Sequence, residues 1–384
     1  MKRLLAFCAL VLLAACSKDK DIAPPAELVD FPATVAVKRV WTASVGGDGE
    51  RLRLGLGLGV DEARVYGAGH DGEVAAFELH SGRALWRTRT RSPLSGGTGV
   101  GEGLVVVGSA KGEVIALSAE DGAIRWRRKV GGEILSAPAV SARSVIVRTV
   151  DGRLHGLALA DGHALWQQEQ QVPRLTLRGT ATPVIAGDEA ICGFDNGRVV
   201  AVNVASGDQV WETMVAPPRG RTELERLVDV DSAVQVRGED VYVVGFQGRV
   251  AMLARDTGQI WWSRELSSYR GLDVDDDALY VSTSDGEIVA LRRRTGVELW
   301  RQNMLARRGL SAPAVSADGT LAVGDFQGYV HWFGRATGAP AARASAGARI
   351  TNPPRAAGDL LFVIDETGRI TAFRVAPLPG AQSP

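Results

Sequence analysis

The chain has 384 residues, with 44 basic and 44 acidic side chains and no formal net charge at neutral pH. This balance does not support nucleic-acid binding or steering of a charged ligand by net charge. The 46 glycines are typical of a β protein rich in turns.

The first 15 residues are predicted to be a bacterial signal peptide. A basic start precedes an apolar run from Leu4 to Ala15, which is too short to span a bilayer. The run ends in LAAC, which resembles the lipobox, after which the cysteine is acylated and becomes the mature N-terminus. The alternative is an ordinary signal peptide followed by an incidental cysteine. Acylation of Cys16, with Ser17 in place of a retention aspartate, implies an outer-membrane lipoprotein that faces the periplasm.

Three further segments follow the signal peptide. Residues 16–35 are polar, contain prolines and show no apolar period, so we predict a lipidated N-terminus and a flexible tether. Residues 36–376 carry a repeat, and residues 377–384 form a C-terminal tail. After processing, Cys192 is the only remaining thiol, and its apolar surroundings in the sequence predict a buried, unpaired cysteine.

The repeat is clearest in DGEVAAFELHSGRALW, residues 71–86. A glycine opens a tight turn, a second glycine follows ten residues later, and a tryptophan follows four residues after that. Successive first glycines are 38 to 51 residues apart, a period that predicts repeated supersecondary units. The first glycines are Gly72, Gly112, Gly152, Gly197, Gly248, Gly286, Gly328 and Gly368, and the second glycines are Gly82, Gly122, Gly162, Gly207, Gly258, Gly296 and Gly338.

Each unit predicts four short antiparallel strands. In the second unit LVVVGSA, EVIALSA and AIRWRRK are β-branched or alternating runs separated by Lys-Gly and Asp-Gly, which are hairpin signals. An earlier run, such as SAPAV at 136–140, supplies the fourth strand. Repetition of such units around a ring predicts an all-β fold, an eight-bladed β-propeller. The Trp-Asp and Gly-His signatures of WD40 blades do not recur in the chain.

The two ends of the repeat predict how the ring closes. The eighth unit, DETGRITAFRV, stops before a second glycine and tryptophan, while Trp41 stands before the first unit. We therefore expect residues 36–45 to pair with the C-terminal segment as the outer strand of the last blade, which removes free edges. Ala342 replaces the tryptophan of the seventh unit, so we expect a loosely docked junction there. The tryptophans predicted to dock blades on one another are Trp41, Trp86, Trp126, Trp166, Trp211, Trp262 and Trp300.

The unit resembles the repeat of pyrroloquinoline-quinone enzymes, which carry an Ala-x-Asp-x-x-Thr-Gly-x-x-x-Trp pattern. Residues 251–262 and 290–300 are close variants. The resemblance implies, as one alternative, a quinone-dependent alcohol or sugar dehydrogenase. Those enzymes also have vicinal cysteines and a calcium site, yet this chain has no vicinal cysteines and its asparagines form no recognisable calcium set. His155 and His331 share a strand position, but no histidine pair has metal-site spacing. We expect no enzyme, no cofactor and no metal site.

Two connections break the repeat. The interval from the tryptophan to the next turn glycine is 24 to 28 residues in regular units, but 31 after Trp166 and 37 after Trp211, and only the stretch after Trp41 is similarly long. Insertions in repeat proteins form loops, often on the binding face. These two contain LTLRG at 175–179 and LVDVD at 227–231, and they lie in consecutive units. We therefore expect them to be close together in space.

The lipobox, the eight units and the two insertions together resemble the BamB family of lipoproteins, non-enzymatic subunits of the β-barrel assembly (BAM) machine. The resemblance covers essentially the whole chain. It implies docking on the POTRA domains of the central barrel protein BamA, with unfolded outer-membrane proteins as further partners. Matched residue by residue, the docking surface consists of Leu175, Leu177, Arg178, Asp229 and Asp231.

Two alternatives remain open at the level of the sequence. The leucines of LTLRG are also compatible with one face of a strand, and Arg178 with a brace that pairs with Asp229 or Asp231. Besides a subunit of the BAM machine and a quinone-dependent dehydrogenase, the sequence is also compatible with a lipid-anchored propeller that binds another periplasmic partner or an envelope polymer.

Overall fold

The computed structural model describes residues 23–46 and 56–378, except positions 174, 177, 178, 219, 223 and 226. Within these ranges every regular element is a β-strand, and the strands form eight four-stranded antiparallel sheets. The fold is an eight-bladed β-propeller, which confirms the predicted fold class. The described residues include no helix of a length and hydropathy that would cross a membrane.

Blades one to four each consist of four consecutive strands, which run in order from the inner strand to the outer strand. They are β2 (Gly59–Val60), β3 (Arg64–Ala68), β4 (Glu73–Glu78) and β5 (Ala84–Arg89); β6 (Gly99–Gly101), β7 (Leu104–Gly108), β8 (Glu113–Ser118) and β9 (Ile124–Lys129); β10 (Ala139–Val140), β11 (Ser144–Arg148), β12 (Arg153–Ala158) and β13 (Ala164–Glu169); β14 (Val184–Ala186), β15 (Glu189–Gly193), β16 (Arg198–Asn203) and β17 (Gln209–Met214).

Blades five to seven follow the same order, and blade eight combines three C-terminal strands with the first strand of the chain. They are β18 (Gln235–Arg237), β19 (Asp240–Val244), β20 (Arg249–Ala254) and β21 (Ile260–Glu265); β22 (Leu272–Val274), β23 (Ala278–Ser282), β24 (Ile288–Arg292) and β25 (Glu298–Gln302); β26 (Ala314–Val315), β27 (Thr320–Gly324), β28 (Tyr329–Gly334) and β29 (Pro340–Ser345); β30 (Arg355–Ala357), β31 (Leu360–Ile364), β32 (Arg369–Pro377) and β1 (Val35–Ser44).

The ring closes through the pairing of β1 with β32. Val35 lies opposite Pro377 and Ser44 opposite Arg369, so the N-terminal strand is the outer strand of blade eight. This confirms the predicted closure, with the strand one residue earlier than expected. Because β1 covers the edge of β32, blade eight has the same four strands as the other blades.

Each of the seven tryptophans on the repeat register contacts the next blade in the ring. Its indole Nε1 donates a hydrogen bond of 2.5 to 3.1 Å to a backbone carbonyl in the turn before that blade's outer strand. A buried indole needs such an acceptor, so the hydrogen bond and the ring packing act together. The donor and acceptor pairs are Trp41 and Leu79, Trp86 and Ala119, Trp126 and Leu159, Trp166 and Val204, Trp211 and Arg255, Trp262 and Arg293, and Trp300 and Arg335.

The second glycine of each turn lies directly under the indole ring of the preceding blade. At Gly122, for example, φ is +73°, and a Cβ atom there would lie 2.5 Å from the ring of Trp86. Glycine is required both by the backbone conformation and by the approach of the ring. The spacing of glycine and tryptophan in the repeat is therefore the sequence signature of the contact between blades.

The junction between blades seven and eight is built differently. Strands β32 and β1 are not joined by a turn, so blade eight offers no second glycine for a tryptophan at position 342. Instead Ala342 is buried beside Trp332, whose fully buried ring packs edge to face on Phe373 of blade eight at 5.4 Å. This packing differs from the loose junction expected from Ala342.

The propeller has two unlike faces. One side of the ring carries the connections from each outer strand to the inner strand of the next blade, together with the turns between second and third strands. We call this side the loop face. Both long insertions are connections of this type and lie on it.

Candidate partner-binding surface

The two insertions are the connections 170–183, between β13 and β14, and 215–234, between β17 and β18. Both lie on the loop face, at consecutive blades. A Cβ atom on Gly179 of the first would lie 2.6 Å from Asp231 Oδ2 of the second, so the two connections touch. Their proximity agrees with the expectation from their positions in the repeat.

The structure places the predicted docking residues at different depths. Leu175 is 43% exposed, Asp231 is partly exposed, and Asp229 is only 1% exposed. Leu177 and Arg178 lie outside the described residues. Asp229 and Asp231 are brought together, but Asp229 lies beneath the surface.

A third carboxylate joins this pair. Asp195, in the turn between β15 and β16, has a ligand oxygen within 4.8 Å of those of Asp229 and Asp231. The fully buried Arg148, at the end of β11 in blade three, donates to Asp195 Oδ1 and to the carbonyl oxygen of Gly193. Its guanidinium also lies over the ring of Phe194, 4.4 Å from the centroid. We call Arg148, Asp195, Asp229 and Asp231 the buried charge cluster.

The cluster joins three successive blades. Arg148 comes from blade three, Asp195 from blade four, and the two other aspartates from the connection to blade five. Backbone hydrogen bonds hold that connection in place: Val230 N donates to Phe194 O at 3.3 Å, and Phe246 N donates to Asp229 O at 2.7 Å. Carboxylates at this spacing suit a cation, and the guanidinium of Arg148 already places positive charge beside Asp195.

Burial determines the protonation of the cluster. It raises the pKa of Asp229 and that of Asp231 above the ordinary range, and the charge of Asp231 raises the pKa of Asp229 further. Two neighbouring carboxylates in a desolvated site are more stable when they hold a proton between them. The cluster therefore binds protons more strongly than exposed aspartates do.

Apolar side chains extend the surface around the cluster. Leu224 is 67% exposed on a turn in which Glu225 N donates to Thr222 Oγ1 and Thr222 N donates to Glu225 Oε2, the pattern of a capping box. Tyr269, in the next connection along the ring, is 37% exposed and packs edge to face on Phe246. The loop face thus presents apolar groups at three successive connections.

Arg148, Leu224 and Tyr269 were not predicted from the sequence. Arg148 has a visible signal, because it is the charged residue in the otherwise apolar run SVIV before a turn. The Thr-x-x-Glu spacing around Leu224 is a second signal. Cys192, predicted to be buried, is a fully buried free thiol, and burial raises its pKa to about 11.

The repeated blades and the tryptophan contacts define an eight-bladed β-propeller in which one kind of contact between blades recurs. The quinohemoprotein alcohol dehydrogenase of Comamonas testosteroni has the same architecture, with a TM-score of 0.68 over 90% of this chain and 78% of that chain. Its sequence is 12% identical, so this likeness shows the fold alone.

More specific similarities concern outer-membrane assembly. The family model described as outer membrane protein assembly factor BamB matches residues 70–302 and 284–376. BamB of Pseudomonas aeruginosa is 44% identical over 371 residues, 96% of this chain and 97% of that protein, and BamB of Alkalilimnicola ehrlichii is 43% identical over 375 residues, 97% of each. The crystal structure of BamB from Moraxella catarrhalis has a TM-score of 0.81 and 28% identity, covering 88% of this chain and 100% of that one. The chain belongs to the BamB family of outer membrane protein assembly factors.

Proposed function

We propose that this protein is a non-enzymatic subunit of the BAM complex that docks on the POTRA domains of BamA and assists folding and insertion of outer-membrane β-barrels. Membership of the BamB family supports the complex. The observation that carries the docking surface is that two long connections of consecutive blades, 170–183 and 215–234, meet on the loop face at the buried charge cluster. A repeat scaffold changes at such connections without losing its core.

The depths of the residues suggest a division of roles within this surface. Leu175 and Leu224 are exposed and available for direct contact with a partner. Asp229 is buried and acts as a support that fixes the connection carrying Asp231. Arg178 is assigned to the interface by the family resemblance, and arginine is among the residues enriched in binding hot spots.

We also propose that acylation at Cys16 attaches the protein to the outer membrane with its propeller in the periplasm. The LAAC sequence supports this assignment. Several acyl chains bind a bilayer far more firmly than one, because each buried CH₂ contributes about 0.8 kcal/mol.

The docking proposal is tested by measuring binding and melting on the same variants. Arg178→Ala should weaken binding to purified POTRA domains about thirtyfold or more, the effect of losing a hot spot, with no change in melting temperature. A brace would behave differently, because its loss would lower the melting temperature and reduce affinity only in proportion. Normal affinity of a well-folded Arg178→Ala protein would exclude the docking role.

Asp229→Ala combined with Asp231→Ala provides a second arm. The double variant should lose binding through a disordered surface, and its melting temperature should also fall because Asp229 is buried. Arg143→Ala serves as control, since this exposed residue lies on the opposite face, between β10 and β11. Equal affinity of the double variant and the control would contradict the proposed surface.

The non-enzymatic assignment has its own measurement. Purified protein incubated with pyrroloquinoline quinone and calcium should retain no quinone after gel filtration and should oxidise neither alcohols nor glucose. A stoichiometric bound quinone in the absorbance spectrum would overturn this part of the proposal.

A further inference from the structure

The segment 24–34, which precedes the first strand, is bound to blade seven and to the connection from β25 to β26 that leads into it. At one end, Ala26 N donates to Ala306 O at 2.9 Å and Arg307 Nε donates to Pro24 O at 2.8 Å. At the other end, Thr34 N donates to Ala341 O at 2.9 Å. The sequence predicted a flexible tether over these residues, whereas the structure places their backbone against the propeller.

Side chains between these two ends also contact the propeller. Leu28 packs against the apolar core between blades six and seven. Arg343 on β29 donates to Val29 O, and its guanidinium lies over the ring of Phe31, 5.3 Å from the centroid. The contacts therefore extend along the outer side of blade seven. We call residues 24–34 the strap.

The binding site of the strap includes a buried ion pair. Arg308, 3% exposed, forms a salt bridge with Asp325, and Asp325 also contacts His331 Nε2 at 3.0 Å. The remaining guanidinium nitrogen of Arg308, Nη1, donates a hydrogen bond to Ala26 O at 2.9 Å. The strap thus accepts a hydrogen bond from the buried guanidinium of Arg308. Because Asp325 of blade seven holds this guanidinium, the strap is bound at one defined position.

The strap begins on the loop face. Its first hydrogen bonds are with Ala306 and Arg307, in the connection from β25 to β26, and such connections lie on that face. This position is two blades away from the connection 215–234, which is about a quarter of the ring. Six residues lie between Cys16 and Ala23, and an extended chain over the seven steps from one to the other spans roughly 25 Å at most.

We propose that the strap fixes the orientation of the propeller on the membrane, with the edge of the loop face at blades six and seven toward the lipid bilayer. The inference rests on the proposed acylation of Cys16. The partner is the bilayer surface in which the acyl chains are inserted. Because the strap is bound at blades six and seven, the acyl chains on Cys16 are held close to these blades and not to the others. The opposite edge of the ring is therefore held away from the membrane.

Two matched positions report the orientation. Asp285 in blade six and Lys111 in blade two occupy the same turn of the repeat on the loop face, on opposite sides of the ring, and both side chains are exposed. Full-length acylated protein carrying Asp285→Cys or Lys111→Cys is labelled with a donor dye, while Cys192 is protected by burial. The proteins are reconstituted into phosphatidylethanolamine and phosphatidylglycerol vesicles that contain an acceptor-labelled lipid.

Energy transfer to the lipid should be at least twofold greater from position 285 than from position 111. Combining Asp285→Cys with Ala26→Pro, which removes the backbone donor to Ala306, and Arg307→Ala should reduce that difference while the melting temperature stays within a few degrees. Equal energy transfer from positions 285 and 111 in vesicle-bound protein would contradict the proposal that the strap orients the propeller. The Cys16→Ala control should fail to float with vesicles. If the wild-type protein also failed to float, the proposed acylation of Cys16 would be wrong, and the orientation inferred from it would fall with it.

Discussion

The tryptophan junctions and the buried charge cluster join blades by opposite means. Each junction uses an aromatic ring, a glycine and an indole hydrogen bond, and the same three parts recur seven times. The cluster occurs once and uses buried charges. Arg148 stands where the neighbouring blades have Gly108 and Gly193, so a small repeat residue has been replaced by a long one that reaches into the next blade.

This difference indicates how stability and specificity are divided in the molecule. Apolar junctions stabilise the ring in proportion to the surface they bury. Buried charges contribute little net stability, but they require one particular arrangement, and losing a partner is costly. Variants at the two kinds of junction should therefore differ in their effects on stability.

Removal of β1 should have the largest effect. A mature protein that starts at residue 45 loses Trp41 and the outer strand of blade eight, and loss of a buried tryptophan alone costs about 3–5 kcal/mol. A protein that starts at residue 35 keeps the strand and loses only the strap. Thermal unfolding should show a much lower melting temperature for the first protein. Equal melting of the two would contradict closure by Trp41 and β1.

A glycine pair isolates one tryptophan contact. Gly122 and Gly103 have nearly equal φ values, +73° and +72°, but a Cβ atom would collide with Trp86 only at Gly122. Gly103→Ala should cost about 1–2 kcal/mol of backbone strain. Gly122→Ala should cost roughly 1–3 kcal/mol more, because the ring must move. Denaturant unfolding gives both values, and similar losses would show that the junction tolerates a methyl group.

The cluster should be recognisable by the pH dependence of stability. Because the folded-state pKa of Asp231 is raised, the folded protein binds a proton that the unfolded chain has released above pH about 4. The contribution is present at low pH and is lost as the pH rises through the raised pKa. Asp231→Asn should remove part of this decline, at most about 1.4 kcal/mol per pH unit for one proton.

Asp276→Asn is the control for this measurement, since the Asp276 side chain is fully exposed. Its unfolding free energy should follow that of the wild type from pH 4 to 7. An Asp231→Asn profile parallel to that of the wild type would mean that Asp231 does not contribute to the decline.

The smallest effect on stability is expected at the exposed apolar surface. Leu224 is 67% exposed and Leu227, in the same connection, is 6% exposed. Leu224→Ala should change the free energy of unfolding by no more than about 0.5 kcal/mol. Leu227→Ala should cost about 2–5 kcal/mol. If the two variants melt alike, Leu224 is part of the structural core and is not reserved for a partner.

The repeat made most of the fold predictable from the sequence. Glycine and tryptophan spacing determines the number of blades, and the displaced Trp41 determines how the ring closes, because these features record contacts between successive units. The binding of the strap was not predictable, since it depends on the Arg308 guanidinium, far away in sequence. The same holds for Arg148, whose partners come from another blade, and for Trp332, which fills the junction that Ala342 leaves.

Closure by β1 also has a consequence for the order of folding. Strands within one blade are a few residues apart, but β1 and β32 pair across roughly 340 residues. Compared with a loop of one repeat, closing such a loop costs about 2 kcal/mol more in chain entropy, and long-range pairing slows folding. The first strand to be synthesised, β1, therefore cannot pair until the last strand, β32, has been synthesised. Until β1 and β32 pair, the ring has two open edges, one on each of these strands, and both are able to pair with another chain.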